Sequence, residues 1–265
     1  MNKLTFLILP LFSLLLSFQV FAKSEEDKDK FVLPEYEFKT HDNVQAQVDM
    51  ARTNAVNNDK LLLLVLGAQW CHDSRGLAHK FSSDEMQTIL KQRFETVFVD
   101  VGYYKDLREL TAQFGYPGYF ATPSVMVIDP ESKQVLNMQS MAMWNSADSV
   151  PSNEVLAYFS SVGSEPRDAN AGNDEVLKQV EDFAFSQTAR LFAGFEQLGP
   201  LIEAIVDKSL EDDTQALALF DEIYDFRTTL QKDIHRLHKM AEDGTSNTTD
   251  LDIDFPSYGP FSWEK

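Results

Sequence analysis

One cysteine in 265 residues is the scarcest chemical group of this chain. Cys71 has no second cysteine to pair with, so an internal disulfide is excluded and the fold must hold by its core. The thiol is left as a buried inert group, a link to another molecule or a reactive group. Cations are also short: Lys and Arg number 23 against 42 Asp and Glu, a formal net charge of -19. That deficit argues against nucleic acid, because phosphate binding needs Lys and Arg to release counterions. It equally disfavours docking on an anionic bilayer. Clusters of metal-ligating residues are absent too. Cys71, His72 and Asp73 are adjacent in sequence, and adjacent side chains rarely converge on one ion. His235 and His238, three apart on a helix, read as a solvated face. No metal and no cofactor is expected.

Long apolar runs are confined to the start of the chain. Lys3 opens a short positive region, Leu4 to Phe18 is almost wholly apolar, and Val20-Phe21-Ala22 offers a cleavage site. The run is short for a membrane span of about 20 residues and contains Pro10, so 1–22 reads as a cleaved signal peptide. No cysteine stands directly after it to carry a lipid. The expectation is an exported, periplasmic protein with no membrane segment after cleavage.

Beyond the leader, the elements come in a regular order. Val44, Val48, Ala51 and Ala55 recur at helical spacing behind an N-cap at Asp42 or Asn43. Leu61 to Leu66 is a continuous apolar run of strand length, buried on both faces. A helical stretch comes after Cys71, and Ser82 with Glu85 forms a capping box for the next helix. Further strands are expected at Thr96–Val101 and Ser124–Ile128, with a helix at Lys105–Phe114 between them. Asp129-Pro130 turns the chain into an antiparallel partner at Val135-Leu136. A closing helix spans Pro151–Phe159. This order describes an α/β sandwich.

Residues 163–172 read as a linker, 173–243 as a helical extension and 244–265 as an acidic tail. Within the extension, Val176, Val180, Phe183, Leu191, Phe195 and Leu198 share one helical face, and Gly199-Pro200 is expected to end that helix. A short helix then carries Leu201, Ile202, Ile205 and Leu210, and a second long stripe runs from Ala216 to Ala241. The Phe-rich stripe reads as core or helix-packing surface.

Chemistry concentrates at Trp70-Cys71-His72-Asp73-Ser74, directly after a buried strand and opening a helix. A cysteine in a first helical turn faces unsatisfied N–H groups and the positive end of the helix dipole, which favour thiolate over thiol. His72 adds positive charge when protonated, Ser74 is placed to donate to the sulfur, and Asp73 opposes them. Together with Thr122-Pro123 just before a strand, this pattern resembles the thioredoxin superfamily, in particular exported bacterial members with a Cys-x-x-Ser motif. The resemblance covers roughly 40–162 by element order, and the domain itself is drawn as 31–162. It implies a three-layer fold, a central mixed sheet flanked by helices, here with a C-terminal all-α extension. It also implies that Thr122 and a cis Pro123, with Trp70, form the edge on which an extended substrate chain lies over Cys71.

Two departures narrow what Cys71 can do. Ser74 stands where the family's resolving cysteine stands, and Val65 where redox-active members place a buried acid. A dithiol enzyme leaves its mixed disulfide by attack of the second thiol. Here release needs the substrate's own cysteine or an outside thiol. One reading is therefore monothiol exchange or isomerisation on cysteine-containing exported proteins, or exchange with a redox partner protein, with Cys71, Ser74 and His72 as the catalytic set. The other is a non-catalytic binding or chaperone-like module whose C-terminal helices recognise a partner or a second copy of the chain, a homodimer linked through Cys71 included.

Overall fold

The computed structural model describes residues 36–40, 42–164, 174–243 and 253–264. Residues 34–265 form one compact unit. The expected signal peptide and most of the expected linker lie outside the described residues, and no described helix is long and apolar enough to cross a membrane.

Helix α1, Val44–Asn57, starts where Asn43 accepts the Ala46 N–H through its side chain. It buries Val48 and Ala55, one face of the expected stripe. Strand β1, Leu61–Gly67, comes next, and six of its seven residues are buried. Helices α2, His72–Phe81, and α3, Asp84–Arg93, lead into β2, Phe94–Asp100. Ser83 rather than Ser82 caps α3, its hydroxyl accepting the Met86 N–H, while the Ser82 hydroxyl donates to the Ala78 carbonyl and closes α2. The expected capping box does not form: with Ser83 as the cap, the third helical residue is Met86, which has no carboxylate to reach back. Short helix α4, Arg108–Ala112, precedes β3, Ser124–Ile128.

The sheet has order β2-β1-β3, with β1 parallel to β2 and antiparallel to β3. Both neighbours of β1 bury their apolar side chains, which is why the Leu-Leu-Leu-Leu-Val-Leu run needs no polar alternation. The expected fourth strand is reduced to one bridge, Ile128 to Val135. The reason lies in Asn137. Its Oδ1 accepts the Val127 N–H at 2.8 Å and its Nδ2 donates to the Val125 carbonyl at 2.9 Å. One buried side-chain amide therefore satisfies the edge of β3 that a strand would otherwise pair. The chain then makes two 3-10 turns over Met138–Ser149, kinked at Ser146, and α5, Ser152–Ser161.

Two further helices complete the unit: α6, Asp174–Val206, and α7, Thr214–Asp243. Helix α6 continues through Pro200 instead of ending there. Proline in a helix interior costs about 3 kcal/mol. Buried Leu198 and Ile202 flank it and anchor the next turn to the same core. Each fully buried large aliphatic contributes about 1.5–3 kcal/mol, enough to offset the proline. Gly199 lies so close to the Tyr103 carbonyl that a Cβ would collide with it.

The extension does not stand apart. Leu191, Phe192, Phe195 and Leu198 of α6, and Ile223, Phe226, Leu230 and Ile234 of α7, share one hydrophobic cluster with Leu62, Leu64 and Leu66 of β1. The Phe stripe is core, as its period implied. Residues 253–264 depart from the expected acidic tail. Ile253 and Trp263 are buried, and Trp263 Nε1 donates to the Arg190 carbonyl at 3.0 Å. Arg190 also meets the Glu264 carboxylate at 2.6 Å. The apolar residues of this segment, and not its acidic ones, decide where it goes.

Candidate functional site: a half-exposed thiol facing the Thr122 carbonyl

Strand β1 ends at Gly67, and the chain turns through Ala68-Gln69-Trp70, closed by the Cys71 N–H on the Ala68 carbonyl at 3.2 Å. Cys71 is the N-cap of α2 with extended backbone angles, and its carbonyl accepts the Arg75 N–H. The strand-to-helix turn thereby puts the thiol at the helix start, half-exposed, as the spacing predicts. Cys71 Sγ lies 3.0 Å from the Thr122 carbonyl oxygen, 51 positions away in sequence. Thr122 is buried, and the Thr122–Pro123 peptide is cis. The two motifs singled out in the sequence are thus brought together.

The other expected site residues divide. Trp70 is half-buried beside the thiol; its Nε1 donates to the Gly102 carbonyl at 2.8 Å, and its ring meets Tyr103 and Tyr104. It braces the loop after β2 against the turn that carries Cys71. Ser74 is fully buried, and its Oγ accepts the Ala68 N–H at 3.3 Å. Its oxygen thereby supports the turn, and no bond from its hydroxyl to the Cys71 sulfur is seen among the described residues. His72 projects outward, its side chain 70% exposed, with Nε2 3.3 Å from Asp73 Oδ2. The other Asp73 oxygen accepts the Asp148 N–H at 3.0 Å. Asp73 therefore ties α2 to the 3-10 segment. Val65 sits in the sheet core with no exposed surface.

Two residues of this site were not legible in the sequence. Tyr104 is buried, has φ of +63° and stacks on Phe195 of α6 with ring centroids 4.4 Å apart. Burial pushes its phenol above the ordinary tyrosine range; the Arg227 guanidinium pulls against that, and Cys71 pushes with it. Arg227 comes from α7 and donates to the Phe120 carbonyl at 3.1 Å, across 107 positions. It also lies over the Tyr224 ring. No local motif marks such a residue; only the docking of α7 brings it next to the loop that carries Thr122. The described residues contain no group of three or more His, Cys, Asp or Glu able to hold a metal.

Fold and site together define a thioredoxin-like domain carrying a C-terminal helical region. In agreement, residues 29–130 match the family described as thioredoxin-like. Among solved structures, a disulphide isomerase from Xylella fastidiosa Temecula1 is 25% identical, the match covering 47% of this chain and 94% of that one with a TM-score of 0.43. No curated protein matches.

The family match ends at residue 130, before α6 and α7 begin. Here the thioredoxin-like domain carries one cysteine, with Ser74 three positions after it, and α6 and α7 pack into the same hydrophobic cluster as its sheet.

Proposed function

We propose that this chain is an exported, periplasmic monothiol exchange protein that isomerises or captures disulfides of cysteine-containing exported proteins through Cys71. The single observation that carries the reading is the half-exposed Cys71 Sγ at the start of α2, 3.0 Å from the Thr122 carbonyl. A thiol at that position reaches solvent on one side and a peptide-pairing backbone edge on the other.

The chemistry is thiol–disulfide exchange. The Cys71 thiolate attacks one sulfur of a client disulfide; a Cys71–client bond forms, and the other client sulfur leaves as thiolate. That released client thiolate, or another cysteine of the same client, then attacks the mixed disulfide and returns Cys71 as thiolate. Attack by a different client cysteine rearranges the client with no net electron transfer. Ser74 cannot perform this release, and Val65 supplies no proton shuttle, so the adduct persists until the client resolves it. Trp70, Thr122 and Pro123 form the client-binding edge, and His72 is the exposed group best placed to meet an approaching chain. Burial of the apolar faces of α6 and α7 in the shared core supports this reading over one in which those faces recruit a partner.

Refolding of a protein with scrambled disulfides tests it. The wild-type chain is expected to accelerate recovery of the native pairing, and Cys71→Ala to abolish the acceleration while keeping the fold. Equal rates with and without the wild-type chain would exclude the isomerase reading.

A further inference from the structure

A groove of about 570 Å³ lies between the 3-10 segment and α7. Arg227, Lys232, Arg236 and Lys239 line it, and no carboxylate does so among the described residues. In a chain of net charge -19 this is a local reversal of sign. Local sign reversals specify partners and register more than they add raw affinity. The cations lie along one helix from position 227 to 239, a row about 18 Å long at 1.5 Å rise per residue. That length matches an extended polypeptide of about five or six residues at 3.3 Å each.

Two amides, Asn145 and Gln231, form the groove wall between the cations. Asn145 Nδ2 donates to Gln231 Oε1 at 2.8 Å, which leaves buried Asn145 Oδ1 without a partner. Gln231 also bonds the buried Tyr116 hydroxyl, which lies 3.0 Å from His235 Nε2. Two of the cations already have exposed partners, Arg236 with Asp233 at 3.3 Å and Lys239 with Asp243 at 2.7 Å. Exposed pairs of this kind are worth little and exchange readily. Lys232 has no ion pair among the described residues.

We propose that this groove binds an acidic, extended stretch of the client polypeptide. The assignment rests on the reading of the chain as one that acts on other polypeptides, and it names which ones: those with several Asp or Glu near the disulfide. Arg227 joins the two sites, lining the groove while holding the Phe120 carbonyl two residues before Thr122. A client docked on α7 thus lies next to the loop that faces Cys71.

The test is fluorescence anisotropy of a labelled, cysteine-free peptide of about six glutamates against the full reduced chain, with a glutamine peptide of equal length as control. Because the probe has no sulfur, the result is independent of whether Cys71 is chemically active. Binding of the glutamate peptide alone is expected, weakening as salt is raised. The exposed charge reversals Lys232→Glu and Lys239→Glu together are expected to weaken it about tenfold with an unchanged melting temperature. Absence of glutamate-peptide binding, binding untouched by the double reversal, or displacement by an equal concentration of inorganic phosphate would each overturn the proposal.

Discussion

Acidification is expected to loosen the grip of the helical extension on the domain through one histidine. His235 is buried on α7, and its Nε2 lies 3.0 Å from the hydroxyl of Tyr116, itself fully buried in the domain. Burial, with a smaller contribution from neighbouring His238, lowers the His235 pKa from 6.5 to about 4. The unfolded chain therefore binds a proton at a higher pH than the folded chain does. Stability contributed by the neutral ring is complete above about pH 6.5 and is lost as pH falls toward about 4. With those two values, linkage gives a loss of about 2 kcal/mol at about pH 5 and about 3 kcal/mol at about pH 4. Urea denaturation monitored by tryptophan fluorescence, at a series of pH values, measures this in the wild type and in His235→Gln. Carboxylate protonation acts on both chains alike, so the difference between their pH profiles isolates the imidazole. The wild type is expected to lose about 2 kcal/mol more than the variant between about pH 7 and about pH 5. Parallel profiles would refute the reasoning.

The packing leads to three further outcomes. Trp263→Ala is expected to cost about 3–5 kcal/mol in urea denaturation, because the indole is buried and bonded to the Arg190 carbonyl; a change under about 0.5 kcal/mol would mean the terminal segment is only a tail. Gly118→Ala places a Cβ 2.7 Å from the Phe192 ring and 2.8 Å from the Thr188 methyl, so these buried side chains of α6 must give way, and a loss of about 1–3 kcal/mol is expected by the same assay. Arg227→Ala removes the bond to the Phe120 carbonyl, and hydrogen exchange at residues 119–124 is expected to quicken more than in the sheet.

The parts of the molecule governed by short-range pattern were legible in the chain. The Leu61–Leu66 run, the N-cap at Asn43 and the Cys71 and Thr122-Pro123 contexts each specify their element through neighbours within a few residues. The features that escaped are decided at long range. Pro200 is a local helix breaker, but Leu198 and Ile202 are held by a core assembled from β1, and that burial overrides it. His235 and His238 look like a solvated pair because their neighbours Arg236 and Lys239 are charged. Both are buried, His235 because its face of α7 meets Tyr116. Val135 looks like a strand until Asn137 takes the backbone groups that the strand would pair. The position of Ser74 relative to Cys71 suggests a donor to sulfur, but the contact the fold makes there is between its oxygen and the Ala68 N–H. Arg227 could not be found at all, since its partner is more than a hundred positions earlier.

In the proposed function Cys71 is a nucleophile whose adducts outlive the encounter, and capture of those adducts reads this out. Cells producing the full chain are lysed with free thiols blocked, and the protein is isolated and separated without and then with reductant. Discrete higher-mass species are expected that collapse on reduction, contain other exported cysteine proteins joined at Cys71, and vanish in Cys71→Ala. A wild-type chain recovered entirely as free, alkylated monomer would contradict the account.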